Sequence, residues 1–257
     1  MDCKKVAADL YKAEKEAYQI ETISTANPDM TIADAYAIQL ENVAKRVAEG
    51  EKIIGVKVGL TSKAMQKLLG VDEPDYGHLT DKMLLLEGDK CPMKELIQPK
   101  VEGELAFCLK KTLKGPGVTI ADVYNATGWV VPAIEIVDSR IKDWKIKLVD
   151  TIADNGSSAK LVLGSTMTPI GNVDMRLVGM NLEKNGEIVS TGTGAAVWGN
   201  PAAAVAWLAN KLSQFDIELK EGDIILSGAV TAAEAAKAGD IFTVSFQGMG
   251  SVTVKFE

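Results

Sequence analysis

The sequence predicts an α+β fold, with a mixed β core covered by an N-terminal helical layer. Apolar residues recur every three or four positions in the first fifty residues, whereas short strand-like runs follow from Val101 onward. Helices that precede strands favour a mixed or antiparallel sheet over a doubly wound nucleotide-binding fold. We expect one domain over residues 1–257, since the chain shows no linker or fixed-period repeat: a helical layer over 1–50 and a strand-rich catalytic core over 51–257.

Two amphipathic segments predict the helical layer. The first has Ala7, Leu10 and Tyr11 at helical spacing. In the second, Thr31 can cap a helix. Its largely apolar residues follow every three or four positions: Ile32, Tyr36, Leu40, Val43 and Val47. Both segments therefore have one face that can pack against a sheet.

The strand-rich core is predicted to begin at 53–60, which alternates around two glycines. A short helix over 62–69 and a turn-rich loop over 71–81 should follow. Further strands are predicted over 101–109, 130–137, 161–163, 175–181, 224–226, 241–246 and 251–256. Asn185-Gly186 predicts a hairpin. Asn200-Pro201 predicts the start of a late helix, whose apolar face carries Val205, Leu208, Leu212 and Phe215.

Composition excludes several function classes. The 28 Lys+Arg against 35 Asp+Glu give a formal charge of −7, and no basic run is long enough to predict a nucleic-acid surface. Charged residues interrupt the start where a signal peptide needs an apolar run, and no apolar run is long enough to predict a membrane span. The odd, widely spaced cysteines Cys3, Cys91 and Cys108 fit buried or incidental thiols. We expect a cytoplasmic protein that binds neither nucleic acid nor membrane.

The one histidine and the glycine pattern limit the chemistry further. His78 follows Pro74-Asp-Tyr-Gly77, so it is interpreted as a solvated loop residue rather than a catalytic base. The glycine-rich stretch 191–197 lacks the third glycine of a dinucleotide fingerprint, and the chain has no phosphate-binding loop motif. A nucleotide cofactor therefore has no support in the sequence.

Two glutamates are predicted to share one face of a strand. In the run 100–107, period-2 alternation points Glu102 and Glu104 in the same direction, opposite to Val101, Leu105 and Phe107. A solvated acidic face is the common outcome for such a pair. The pair alone therefore does not establish a site.

A third acid changes the interpretation. Glu135 lies inside the apolar run 130–137, where an unpaired carboxylate is costly to bury. Three carboxylates without Cys or His are oxygen ligands suited to Mg²⁺ or Mn²⁺. The alternative is a salt bridge from Glu135 to a basic residue such as Arg140. Lys57, inside the apolar strand 53–60, likewise either turns to solvent or is held in a site.

Several motifs resemble those of one family. They are 55–63 (GVKVGLTSK), 74–77 (PDYG), 98–104 (QPKVEGE), 132–140 (PAIEIVDSR), 143–147 (DWKIK) with 153–155 (ADN), 222–228 (GDIILSG) and 248–252 (GMGSV). Together they are similar to the hydratase/decarboxylase branch of the fumarylacetoacetate hydrolase superfamily. The resemblance covers nearly the whole chain, and it implies the fumarylacetoacetate-hydrolase-like mixed β core.

The resemblance also implies roles for particular residues. Glu102, Glu104 and Glu135 would be ligands of a divalent metal, Mg²⁺ or Mn²⁺. Lys57 and Asp75 would be the acid/base residues beside it. Ser157, which follows the ADN motif, would be a substrate contact.

The activity implied is that of a hydro-lyase. It would add water to 2-hydroxypenta-2,4-dienoate (2-oxopent-4-enoate) to give 4-hydroxy-2-oxopentanoate, in the meta-cleavage catabolism of aromatic compounds. The alternative is 4-oxalocrotonate (2-oxo-3-hexenedioate) decarboxylase, whose family pattern has an apolar residue in place of Asp75. A carboxylate there favours hydration, because adding water needs a base whereas losing CO₂ chiefly needs an electron sink.

The resemblance also implies partners for the chain. A ring-like homo-oligomer is expected, with possible association with a related decarboxylase or a downstream aldolase. The chain could also be a non-catalytic partner subunit, or a carbon–carbon bond hydrolase acting on acylpyruvates. The sequence departs from the family at Asn200, often His, and at Gly156, often Ala. Both departures concern the shape of the substrate pocket rather than the metal ligands.

Overall fold

The computed structural model describes residues 1–63, 66–67, 70–71 and 73–257. The short helix predicted over 62–69 rests on residues that lie outside this description. Within the described ranges, no helix is both long and apolar enough to cross a bilayer.

The N-terminal helical layer is confirmed. It comprises α1 (Cys3–Lys15), α2 (Ile23–Ala26) and α3 (Ile32–Ala48). Thr31 caps α3 as predicted: its hydroxyl accepts from the Asp34 N–H, and the Asp34 carboxylate accepts from the Thr31 N–H. The apolar faces of α1 and α3 pack together and against the main core.

In the part of the chain that the structure describes, three further α-helices are interspersed among the strands: α4 (Ile120–Ala126), α5 (Leu148–Ala153) and α6 (Pro201–Leu212). The predicted late helix is α6, and the Asn200 side chain caps it by accepting from the Ala202 N–H. Phe215 was predicted to lie on the apolar face of α6, and this prediction is wrong. Helix α6 ends before this residue, and Phe215 is exposed in the following turn.

Strands form two sheets in the described part of the chain. A nine-stranded sheet has the order β2-β1-β11-β5-β6-β7-β3, with β12 added on β5 and β8 on β6. Its strands are β1 (Ile53–Gly59), β2 (Asp75–Thr80), β3 (Leu84–Leu85), β5 (Lys100–Leu109), β6 (Thr127–Val137), β7 (Ser158–Leu163), β8 (Thr168–Pro169), β11 (Ile224–Leu226) and β12 (Glu234–Ala235). The pairs β1/β11 and β3/β7 are parallel and the others antiparallel, so the predicted mixed sheet is confirmed.

The second sheet has the order β10-β9-β13-β14-β4. Its strands are β4 (Lys90–Cys91), β9 (Gly179–Lys184), β10 (Glu187–Thr193), β13 (Ile241–Phe246) and β14 (Gly250–Phe256). Strands β9 and β10 form the hairpin predicted from Asn185-Gly186. The large core lies where this sheet and the helices cover one face of the nine-stranded sheet.

Two predicted boundaries are wrong. The strand expected over 175–181 starts only at Gly179, because Asp174 turns the chain by accepting the N–H groups of Arg176 and Leu177. The loop expected over 71–81 contains β2, which is buried on both faces and therefore shows no apolar–polar alternation. Its Asp and Gly residues are also depleted in strands generally.

His78 lies in β2 and is buried, so its interpretation as a solvated loop residue is wrong. Its Nδ1 lies 3.1 Å from Oε1 of Gln39. Burial lowers the pKa of His78 to about 4, which keeps the ring neutral near pH 7. His78 is paired with Val56 across the ladder, whereas Asp75 and Gly77 point to the opposite face of β2.

A buried ion pair fixes the segment that follows β6. The Arg140 guanidinium donates to the carboxylate and backbone carbonyl of Asp154, and to the carbonyl of Asp138. Arg140 and Asp154 are 2% and 3% exposed. Removing one partner would leave a buried charge without compensation.

We therefore predict that Arg140→Met lowers the free energy of unfolding by about 3–5 kcal/mol. Urea unfolding followed by circular dichroism measures the change. The matched control is Arg176→Met, an exposed position where a change within about 0.5 kcal/mol is expected. Equal effects of the two substitutions would contradict the importance of the buried pair.

Candidate active site

Strand register brings three glutamates together on one face of the nine-stranded sheet. Strands β5 and β6 are antiparallel neighbours, with Glu102 directly opposite Glu135 and Glu104 opposite Ala133. Since directly opposed residues share a face, all three carboxylates point the same way. One carboxylate oxygen from each lies within 4.8 Å of the others.

These carboxylates are short of hydrogen-bond donors. Glu104 and Glu135 are 0% exposed, and within the described residues neither Oε1 of Glu104 nor either oxygen of Glu135 has a partner. Oε2 of Glu104 accepts from the N–H of Gly228 at 2.8 Å. This bond orients the Glu104 carboxylate and leaves its other oxygen free.

The environment disfavours three negative charges without a counter-ion. Burial, with repulsion from Glu135, raises the pKa of Glu102 to about 7. Burial, with repulsion from Glu135 and Glu102, raises the pKa of Glu104 well above its ordinary value. A divalent cation would favour the charged forms of all three, and carboxylate oxygens are the donor type that Mg²⁺ and Mn²⁺ prefer. The residues present therefore fit such an ion.

Lys57 is held inside the site rather than turned to solvent. It is 4% exposed, and its Nζ lies 3.7 Å from Oε2 of Glu135. Burial alone would lower its pKa, but the surrounding carboxylates, Glu135 above all, more than offset this and hold the pKa above its ordinary value. The Lys57 ammonium is therefore charged and partly neutralises the acid cluster.

The predicted alternative, a salt bridge between Glu135 and Arg140, is wrong. Arg140 binds Asp154, as described above, and Glu135 instead faces Lys57. Strand β6 explains the separation: Glu135 lies within the strand, whereas Arg140 follows its end and enters the buried network beyond it.

Asp75 joins the cluster from the neighbouring strand. It is opposite Gly59, two positions from the Lys57–Gly77 pair on the same face. A side chain on Gly59 would place its Cβ 2.0 Å from Oδ1 of Asp75, so only glycine leaves room for the carboxylate. This Oδ1 is buried without a hydrogen-bond partner in the described part, and burial raises the pKa of Asp75.

Ser157 is connected to Asp75 through a residue that sequence analysis missed. The hydroxyl of Thr151, in α5, donates to Oδ2 of Asp75 at 3.3 Å and lies 3.5 Å from Oγ of Ser157. Because Thr151 has one hydroxyl proton, Ser157 is the donor of the second bond. No local signal marks Thr151, whereas Gly228 ends a motif already noted.

The structure therefore collects five of the six sequence-selected side chains around one point and links Ser157 to them through Thr151. The thiols lie elsewhere: Cys3, Cys91 and Cys108 are all free, and the last two are buried. The arrangement combines oxygen ligands for a cation, a buried ammonium and a carboxyl group with one free oxygen. It can bind an anionic oxygen-rich molecule and move protons beside it.

Comparison with known proteins gives one consistent family. The sequence profile described as fumarylacetoacetate (FAA) hydrolase C-terminal matches residues 52–257. The 2-hydroxyhexa-2,4-dienoate hydratase of Comamonas testosteroni is 47% identical over 249 residues, 96% of this chain and 94% of that protein. The 2-keto-4-pentenoate hydratase of Paraburkholderia xenovorans (strain LB400) is 47% identical over 251 residues, 98% of this chain and 93% of that protein.

The fold is shared with a solved structure. The 4-oxalocrotonate decarboxylase from Pseudomonas putida G7, complexed with magnesium and adipate, superposes with a TM-score of 0.97 at 39% identity. The match covers 99% of this chain and 97% of that one. A mixed core with N-terminal helices is thus the architecture of an enzyme family rather than a feature of this chain alone.

The raised pKa values predict a pH-dependent stability in metal-free protein. A carboxyl group whose folded pKa lies above its unfolded value stabilises the fold at low pH, and that contribution is lost as pH rises through the folded pKa. For Glu102 the window runs from the ordinary value of 4.5 to about 7. The melting temperature of metal-free protein should fall by several degrees from about pH 5 to about pH 8, and Mg²⁺ should restore it at the higher pH.

Thermal unfolding followed by fluorescence, with chelator or with Mg²⁺, measures the melting temperature at each pH. The variant Glu104→Gln should lose the Mg²⁺ effect, whereas Glu187→Gln, on an exposed strand, should keep it. A melting temperature insensitive to Mg²⁺ at every pH would argue against a cation site here.

Proposed function

The chain belongs to the fumarylacetoacetate hydrolase family, and from this premise we propose that it is a divalent-metal-dependent hydratase. The reaction is the addition of water to 2-hydroxypenta-2,4-dienoate (2-oxopent-4-enoate) to give 4-hydroxy-2-oxopentanoate, which makes the enzyme a hydro-lyase. Relatives named as hydratases of such dienoates, at 47% identity over nearly the whole chain, support this substrate class.

One observation of the site carries the proposal. Two fully buried glutamates with unpartnered oxygens, Glu104 and Glu135, and the half-buried Glu102 lie together. Beside them are the charged Lys57 and the buried Asp75, which has one free oxygen. A divalent cation, Mg²⁺ or Mn²⁺, held by Glu102, Glu104 and Glu135 would supply Lewis-acid stabilisation for negative charge on the substrate's C1 carboxylate and C2 oxygen. The magnesium in the similar decarboxylase structure supports such an ion.

The reaction needs four proton or bond changes that balance. The enol hydroxyl at C2 loses its proton, and C5 gains one, which moves the double bond to C3–C4. The oxygen of water then bonds to C4, and a proton goes to C3. The product differs from the substrate by one water molecule.

Asp75 is proposed as the base that takes a proton from the attacking water. Its Oδ1 is unpartnered, and its Oδ2 is fixed by the Thr151 hydroxyl. Burial raises its pKa, which makes the carboxylate a stronger base than a solvated aspartate. The nearby Lys57 ammonium acts in the opposite direction and favours the ionised form of Asp75.

Lys57 is proposed to deliver protons or to hold the substrate carboxylate as a cation. The Nζ carries its proton at neutral pH, because the acid cluster holds its pKa high. Ser157 is proposed as a substrate contact, since its hydroxyl lies at the end of the hydrogen-bonded chain through Thr151 to Asp75. Together these groups place proton carriers beside the glutamates.

A second function, 4-oxalocrotonate decarboxylation, is favoured by the 0.97 TM-score to a decarboxylase. The site itself argues for hydration. Loss of CO₂ needs chiefly an electron sink, whereas a buried carboxyl group with a free oxygen, as at Asp75, suits the activation of water. Release of CO₂ from 2-oxo-3-hexenedioate would identify the decarboxylase.

The wider setting is proposed on the same basis. The catalytic unit is a single domain over 1–257 that forms a homo-oligomer in the cytoplasm, within aromatic meta-cleavage catabolism. It could associate with a related decarboxylase or a downstream aldolase. A non-catalytic subunit is disfavoured, because the three glutamates, Lys57 and Asp75 are all present and close together.

The first experiment is a turnover assay. Purified protein with Mg²⁺ should consume freshly generated 2-hydroxypenta-2,4-dienoate, and NMR should identify 4-hydroxy-2-oxopentanoate as the product. Chelator should abolish turnover, and Mg²⁺ or Mn²⁺ should restore it. Absence of turnover with every metal tested, together with CO₂ release from 2-oxo-3-hexenedioate, would replace hydration with decarboxylation.

The role of Asp75 is tested separately. Asp75→Asn removes the base and should lower kcat for hydration by roughly 10²–10⁴-fold. Stopped-flow absorbance of the dienol measures the rate. The control Asp9→Asn, on the exposed surface of α1, should turn over like the unmodified enzyme. Unchanged kcat in Asp75→Asn would remove Asp75 from the chemistry.

A further inference from the structure

Three consecutive residues beside the site have left-handed backbone conformations. Their φ values are 56° at Asn155, 62° at Gly156 and 54° at Ser157. Glycine adopts this region freely and asparagine tolerates it, but serine does so rarely. Such a run persists only when surrounding contacts hold it.

This loop, residues 155–157, forms a wall of the site. A Cβ added to Gly156 would lie 3.1 Å from Cε and 3.2 Å from Nζ of Lys57, so the Gly156 backbone lies directly against the Lys57 side chain. At the next position, Ser157 reaches Asp75 through Thr151. A shift of the loop would therefore change the position of Ser157 and the space available to the Lys57 ammonium.

The Asn155 side chain fastens the loop to β2. Its Oδ1 accepts from the N–H of His78 at 2.8 Å, and its Nδ2 donates to the His78 carbonyl at 2.9 Å. Both bonds go to the backbone of the strand that carries Asp75. The Asn155 carbonyl also rests on Gly77, where an added Cβ would lie 2.3 Å away.

Further hydrogen bonds hold the two ends of the loop. Arg140 binds Asp154 at the start, and the Asp138 N–H donates to the Ser157 carbonyl at 2.7 Å. A cavity of about 20 Å³ is bordered by Arg140, Asp154 and Asn155 among others. The two hydrogen bonds of the Asn155 side chain to β2, together with the contact of Gly156 against Lys57, therefore hold the middle of the loop.

Strand β2 and helix α5 are joined independently of Asn155. The Gln39 amide, 0% exposed, donates to the carbonyls of Tyr76 and Ile152. These two hydrogen bonds fix β2, which carries Asp75, relative to α5, which carries Thr151. Loss of the Asn155 bonds should thus release the loop while leaving Asp75, Thr151 and the glutamates in place.

We propose that Asn155 is a positioning residue of this enzyme: its paired bonds to His78 hold the loop against Lys57 and set the Ser157 hydroxyl for substrate. The inference rests on the proposed function, because it assigns Ser157 and Lys57 to the reaction. It adds a residue that touches neither the glutamates nor Asp75.

Two substitutions separate the bonds from the backbone conformation. Asn155→Gly keeps the left-handed conformation accessible and removes both bonds, whereas Asn155→Asp keeps the acceptor for the His78 N–H and removes the donor. The matched control is Asn185→Gly, since Asn185 has the same φ of 56° in the β9–β10 hairpin, on the other sheet. Each variant is assayed as full-length protein with Mn²⁺.

Three measurements are made on each variant: kcat and KM for the dienol, Mn²⁺ affinity by calorimetry, and amide exchange of His78. Asn155→Gly should lower kcat/KM at least about 10-fold and speed His78 exchange, with Mn²⁺ affinity within about twofold of the unmodified protein. Asn155→Asp should retain more His78 protection than Asn155→Gly. The control should match the unmodified protein in all three.

Wild-type kcat/KM in Asn155→Gly, or loss of Mn²⁺ affinity in both Asn155 variants, would overturn the inference, because the second result indicates a general structural role. Absence of dienol turnover in the unmodified protein would instead count against the proposed function. In that case the amide exchange of His78 still decides whether Asn155 holds the loop against β2. An unchanged exchange rate in Asn155→Gly would refute that role of Asn155.

Discussion

Among the described residues, four carboxyl groups and one ammonium group share one largely buried face of the nine-stranded sheet, and this excess of negative charge is the constraint on which the site depends. Lys57 can offset only part of it. Burial and mutual repulsion raise the pKa values of Glu102 and Glu104, so the ionised cluster needs a further cation. A structure that builds such a cluster and leaves Oε1 of Glu104 and both oxygens of Glu135 without hydrogen-bond donors is organised for metal binding rather than for stability.

The positions of the charges follow from strand register and from glycines whose backbone lies unusually close to the charged side chains. The β5/β6 ladder opposes Glu102 to Glu135, and the β1/β2 ladder sets Asp75 beside Lys57. Gly59 leaves the space that Asp75 fills, and Gly228 supplies the N–H that orients Glu104. These glycines act through the room and the donors that they provide, so a side chain at either position would disturb the site without removing any charged group.

The sequence was most informative where chemistry follows local periodicity. Alternation in β5 predicted that Glu102 and Glu104 share a face. Glu135 was noticed because it is an acid inside an apolar run. The predicted mixed fold and the family are confirmed. Periodicity failed at β2, because a strand buried on both faces and rich in Asp, Gly and His has no alternating pattern. Thr151 and Asn155 were missed because their importance arises only from contacts across the fold, at 76 and 77 residues of sequence separation. The roles of the site residues came from the family resemblance and remain proposals.

The most direct test of this account is anomalous diffraction from crystals grown with Mn²⁺, with data collected near the manganese absorption edge. One strong anomalous peak is expected in contact with carboxylate oxygens of Glu102, Glu104 and Glu135, beside the Lys57 ammonium. A peak at another place, or no peak in crystals that hold the ordered acid cluster, would contradict the claim that the cluster is a metal centre.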